Sequence, residues 1–425
     1  GLEAGRQLER VIPSAAATPL AARHFAVALL YLIAGAMGLV WIAPEMAIGA
    51  FASPRVAGVA HLFTLGWIST TIFGALCQLL PVALGSPLRW PRAGAITLWT
   101  FGPGAGIFAV GISTGITALH HSGIALVGIG VIIATVNIGA TLHRAKKRDV
   151  TWAAIALAIS FLLSTLVLGV LLLHNLHTGF LAEERFRVLA VHMHVAAIGW
   201  ALIMIVGVSH RLLPMFLLSH GAGNAWTRRA LWLISIGVAG LSLGLLAAGP
   251  IVSWTAVLLI EIGVGCFFWQ IRNFYVTRVK KQLDVGLIFA ATALTFLTAA
   301  AVLGPFVLSY GPSHGRLAVA YVTSGLLGGI VMYIVGFYYK IVPLLAWTTR
   351  YGARMGKEKL PAVSDMYSAR VAQVQLFCMA SGVALLITGI SAASSHVARC
   401  GAVLFLGGVL LFASQVARVA YGGRS

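Results

Sequence analysis

Apolar runs of about 20 residues succeed one another through almost the whole of this 425-residue chain, each as long as a helix needs to cross the hydrocarbon core of a bilayer. A segment in hydrocarbon must satisfy its own backbone N–H and C=O groups, and for separate runs of this length that means α-helix. The pattern predicts twelve transmembrane helices, at 24–43, 57–80, 93–113, 120–142, 152–174, 188–210, 229–248, 251–270, 285–308, 316–342, 370–391 and 397–419. With 60% hydrophobic and 9% charged residues there is no room for a soluble domain. The expectation is an all-α integral membrane protein with a tail over 1–23 and a single transmembrane domain over 24–425.

A net charge of +19 would suit a nucleic-acid binder, but its distribution excludes that reading. Only Arg55, Arg185, Arg187, Arg316 and Arg399 fall on one side of the twelve runs, and the other 24 Lys and Arg fall on the side holding both termini. By the positive-inside rule both termini are expected in the cytoplasm, in a bacterial inner membrane, with lipid headgroups as the partners of the basic charge. The segment before His24 carries Arg6, Arg10 and Arg23 without an apolar core, as a cytoplasmic tail would. The four cysteines form no CxxC pair, so neither a disulfide framework nor a thiolate metal site is indicated.

The chain also repeats itself. HLFTLGWISTTIFGALCQLLPVAL, from His61, returns 133 residues later as HVAAIGWALIMIVGVSHRLLPMFL, from His194. Gly66, Trp67, Gly74 and Pro81 are answered by Gly199, Trp200, Gly207 and Pro214. A fainter copy keeps Gly328, Gly336 and Pro343 a further 129 residues on, with Thr323 in place of the histidine. The repeat predicts three pseudo-symmetric four-helix units, at about 24–143, 152–270 and 285–419. Gln78, Arg211 and Lys340 share one position just before the repeat proline, where anchoring at the membrane edge is the simplest role.

Two of the units place a histidine at the same depth, which is costly in hydrocarbon unless the ring faces the bundle interior and has a partner. Neutral imidazoles from facing helices make axial ligands for a b-type haem, and the expected ligands are His61 with either His194 or His192. His192 and His194 lie about 200° apart on a helix, so the second ring would address another compartment, suited to a second haem or a copper ion. Gly66, Gly74, Gly199 and Gly207 leave room for close packing or for a flat macrocycle. His174 and His177 share a helix face, and with His120 and His121 form a candidate metal cluster at the outer ends of the fourth and fifth runs. Glu261, alone in the middle of the eighth run, is a candidate proton relay. His24, His143, His210 and His220 fall at the cytoplasmic face, where snorkelling or contact with lipid would account for them.

Twelve helices in three units, with histidines on the second and sixth, resemble subunit I of the haem-copper oxidase superfamily. The His-x-His at 192 and 194 looks like that family's haem-ligand pair, in which one ring serves a low-spin and the other a high-spin haem. In the family that pair lies on the tenth helix, which here carries Thr323 and no histidine. The family's copper site needs a tyrosine or related residue four places after a sixth-helix histidine, and a His-His pair near the seventh helix. Ala196 and Ala197 stand near the first spacing, and the seventh run has no histidine. The resemblance therefore implies a divergent, non-oxidase member, loosely similar to the NnrS group of haem- and copper-containing membrane proteins linked to nitric oxide stress. The function expected is electron transfer with an external redox protein or quinol, or nitric-oxide-related redox chemistry. The competing expectation is a small-molecule or metal-ion transporter with structural histidines.

Overall fold

A computed structural model describes residues 17–422. Twelve helices are long and apolar enough to span a membrane: α1 Pro19–Ala47, α2 Pro54–Leu84, α3 Pro91–Thr114, α4 Thr117–His143, α5 Val150–Thr178, α6 Ala182–Leu217, α7 Ala225–Ala248, α8 Pro250–Val276, α9 Val285–Tyr310, α10 Gly315–Arg354, α11 Ala369–Ser391 and α12 Ser395–Tyr421. Among the described residues there is no strand, and the protein is an all-α, twelve-span integral membrane protein. The tail expected over 1–23 is helical from Ala17 onward, and its first 16 residues lie outside the described residues.

Local chemistry sets the helix ends. Proline opens α2, α3 and α8, where a missing N–H costs nothing. The Asp149 carboxylate accepts the N–H groups of Thr151 and Trp152 at the start of α5, and Asp284 accepts that of Leu287 in α9. Gly115 and Gly179 close α3 and α5 at φ 74° and 66°, a left-handed conformation that glycine adopts without strain.

Three helices form the centre. α2, α6 and α10 meet one another, and the other nine surround them, with α3–α4, α7–α8 and α11–α12 as tight hairpins and α12 returning to α1. The apolar windows of α2 and α10 are 83% and 72% buried, against 22% for the peripheral α5. Lipid is as apolar as leucine, so packing and interhelical hydrogen bonds must hold such a centre together. A buried side-chain bond ties each central pair in the half toward the chain termini: Trp200 Nε1–H donates to Ser69 Oγ at 3.0 Å, the Thr71 and Tyr338 hydroxyls meet at 2.9 Å, and those of Ser209 and Tyr333 at 2.7 Å.

The repeat glycines serve close packing, which settles what their small size is for. A Cβ on Gly66 would stand 2.4 Å from the Tyr31 ring of α1, one on Gly199 2.7 Å from Phe161 of α5, and one on Gly328 2.4 Å from Phe296 of α9. Each central helix thus receives an aromatic ring from the helix before it, and a macrocycle cannot use those faces. Gly74 likewise receives His24, which is 1% exposed and not lipid-facing as its position suggested. Lys340 also departs from simple anchoring: it pairs with Asp284, which Lys280 joins at 2.7 Å. Burial pushes the Asp284 carboxyl up, but the two lysines outweigh it and hold Asp284 below the usual carboxylate range.

Candidate functional site

All three central helices carry a π-helical stretch where the repeat motif begins: Leu62–Ser69 in α2, Val195–Leu202 in α6 and Thr323–Val331 in α10. The three stretches touch pairwise. A π-helical turn holds an extra residue, which widens the helix and rotates the side chains beyond it. The same stretches mark a change in packing. Every residue at 66–74, 199–207 and 327–339 is buried, yet 61–62, 64–65, 192–194, 196–198, 321–322 and 325–326 are only half-buried. Accessible space therefore opens around the central helices in the half remote from the chain termini, at the level of the histidines.

His61 and His192 face one another across that space, with ring centroids 6.4 Å apart and planes inclined by 33°. His61 Nδ1 lies 2.7 Å from the Ala57 carbonyl oxygen. A carbonyl can only accept, so Nδ1 carries the proton and Nε2 keeps its lone pair. The edge of Phe108 packs against the His61 ring at 5.1 Å. His192 Nδ1 is fully buried without a hydrogen-bond partner, and Gly169 gives its ring room on the α5 side, where a Cβ would stand 3.3 Å from Cε1. Phe108, Ile112 and Leu173, joined by Ala57, Leu65 and Ile124, form an apolar cluster beside the pair and separate from the main core.

His194 addresses a different compartment. Its Nδ1–H donates to the Ala190 carbonyl at 2.7 Å, and its Nε2 accepts the Tyr321 hydroxyl at 3.1 Å, the two rings lying nearly parallel. Gly304 of α9 borders the same place, where a Cβ would stand 3.7 Å from both Glu261 Oε1 and Tyr321 Cε2. Glu261 thus belongs with His194 and Tyr321, and this second compartment holds one imidazole, one phenol and one carboxyl.

Repeat register accounts for both pairings. The histidine position of one copy of the sequence motif meets the residue two places before that position in the next copy: His61 meets His192, and His194 meets Tyr321, which stands 129 residues after His192. At the third such position the residues are Thr323 and Val59, both 3% exposed and neither a metal ligand of this kind. Sequence reasoning missed Tyr321, although extending the 129-residue spacing to His192 would have found it.

Of the outer histidines, the structure brings His120, His121 and His177 together and leaves His174 out. The His121 and His177 rings stack at 5.0 Å and His120 lies 5.7 Å from His177, but His174 packs on Phe180, which the turn at Gly179 carries over it. The shared face expected of His174 and His177 does not bring their rings to one point, because neighbours on opposite sides claim them.

Two imidazoles on opposite sides of one metal, each bound at about 2.0–2.1 Å, have ring centres roughly 6 Å apart. The 6.4 Å of His61 and His192 fits, as does the free lone pair on His61 Nε2, while His192 turns its Cε1–Nδ1 edge toward Gly169 of α5. Among the described residues no three His, Cys, Asp or Glu side chains form a ready-made metal cage. No protein-family model matches the chain, and no curated protein is significantly similar to it.

Proposed function

We propose that this chain is an integral membrane redox protein in which His61 and His192 would hold a b-type haem between α2 and α6. The observation that carries the reading is the His61–His192 pair itself: two half-buried imidazoles at ligand spacing, from two central helices, in an apolar setting. A bound haem would supply one-electron chemistry, and with both imidazoles engaged in holding it, electron transfer would be favoured over nitric oxide binding. The residues of the chain prepare that role. The Ala57 carbonyl fixes the His61 tautomer and strengthens Nε2 as a donor. Phe108, Ile112 and Leu173 keep water from one side of the pair. The uneven Lys and Arg distribution supports an orientation with this end of the bundle outside the cytoplasm, where an external redox protein or a quinol would exchange electrons with it.

Air-oxidised and dithionite-reduced absorption spectra of the purified protein, with haem extraction from the same sample, test the proposal. Sharp reduced α and β bands and one haem per chain are expected. Protein from a haem-replete host that contains no haem would overturn it.

A second reading rests on the other compartment. His194, Tyr321 and Glu261 set polar groups between the central helices and the α8–α9 boundary, as a transporter of a proton-coupled small molecule or metal ion would require. Haem-free protein whose stability rises with such a ligand would move this reading to first place.

A further inference from the structure

We propose that His120, His121 and His177 form a binding site for one divalent transition ion, of the Zn2+ or Cu2+ class, on the face of the membrane opposite the chain termini. The site lies outside the His61–His192 compartment and does not depend on haem binding there.

Three rings from two helices meet at the mouth of the bundle, with centroid separations of 5.0 and 5.7 Å from His177 to its two neighbours. Two imidazoles on one ion lie roughly 5–6 Å apart when each nitrogen is at about 2.0–2.1 Å, so the separations match, and the His121 and His177 planes, inclined by only 21°, must turn to bring their lone pairs together. The protonation pattern is the stronger argument. His121 Nδ1 lies 3.0 Å from the Thr117 carbonyl, so it holds the proton and leaves Nε2 as a donor atom. His120 Nε2 lies 2.6 Å from the Gly111 carbonyl, which fixes the opposite tautomer and leaves Nδ1 as the donor atom. That Nδ1 is fully buried and unpartnered in a side chain only 5% exposed, an expensive state that a metal ion would relieve. Metal-binding histidines characteristically donate their second nitrogen to a carbonyl in this way. The side chains of His177 and His121 are both exposed.

The rings stand close without yet converging on one point. His120 is fixed in the helix packing, so the two exposed rings do the moving, and water completes the coordination. Neutral imidazole donors without carboxylates suit Zn2+ and Cu2+ and disfavour Mg2+ and Ca2+. Gly111, which anchors His120, is one turn along α3 from Phe108, the residue packed on His61. An ion here would sit above the inner histidine pair, separated from it by the Phe108 cluster.

The experiment is a Zn2+ titration of chelator-stripped full-length protein by calorimetry, with metal analysis after gel filtration. One equivalent per chain is expected, with Mg2+ unable to compete at a hundredfold excess. His121→Ala and His177→Ala, both at exposed positions, should each weaken binding at least tenfold, and their helical circular dichroism should match the parent. His174→Ala and His396→Ala should change affinity less than twofold. Absence of Zn2+ binding by the parent protein would overturn the proposal, as would equal losses in the His174 variant or none in the His121 and His177 variants. Haem-free and haem-bound samples should titrate alike, which keeps this result separate from the fate of the haem proposal.

Discussion

The two halves of the central helices are built to opposite rules. Toward the termini, α2, α6 and α10 bury every residue over 66–74, 199–207 and 327–339 and are joined pair by pair through Ser69–Trp200, Thr71–Tyr338 and Ser209–Tyr333. Away from the termini, the same helices leave space, and the groups facing it are imidazoles with lone pairs to give. The π-helical stretches lie at the boundary. A rigid packed half holding an open half in place is the arrangement a site needs if its ligands are to be positioned without being tied into the fold.

That contrast predicts how substitutions should divide. The largest effect belongs to the packed half: Trp67→Ala, which empties a fully buried indole site, should cost about 3–5 kcal/mol of stability in a thermal or denaturant melt in detergent. His61→Ala in the open half should leave the melting of haem-free protein within about 1 kcal/mol of the parent, because the half-buried ring packs only on the small Phe108 cluster and not on the main core. Similar losses for both would erase the distinction between the halves. Gly66→Ala should destabilise by about 1–3 kcal/mol, since its methyl would meet the Tyr31 ring; Gly66→Ala with Tyr31→Ala should recover part of that loss.

At the terminal end, Asp284→Asn should cost about 1–3 kcal/mol by unpairing Lys340. Because the folded-state pKa of Asp284 is depressed, its contribution is full above the ordinary carboxylate pKa and disappears as pH falls through the lower folded value. The parent's stability should therefore decline below about pH 4 more steeply than that of Asp284→Asn. Tyr338→Phe, which removes one interhelical bond to Thr71, should cost the least, about 0.6 kcal/mol and under 2.

Much of the fold was legible because hydrophobic length fixes helices directly: all twelve runs became helices, extended at their ends where Pro54, Asp149 and Gly179 supply caps outside the apolar stretch. The depth of His61 and His194 was legible from the repeat. Which ring meets His61 was not, because His192 and His194 point to opposite faces of one helix and only the placement of α2 and α10 assigns each face. The burial of His24 was hidden for a related reason: a histidine near a helix end looks like an interfacial residue until Gly74 on the neighbouring helix makes room for it. His174 and His177 show the limit of spacing arguments, since a shared face does not decide which neighbour each ring joins.

The most direct test of the central claim compares reduced absorption spectra and haem content of the parent protein with those of His61→Ala, His192→Ala and His194→Ala. The His61 and His192 variants should lose the haem or turn five-coordinate, with broadened α and β bands, while His194→Ala should keep both the haem and the six-coordinate spectrum. Parent-like spectra in the His61 and His192 variants, or loss of haem only in His194→Ala, would contradict the assignment of the iron ligands to the pair that faces across α2 and α6.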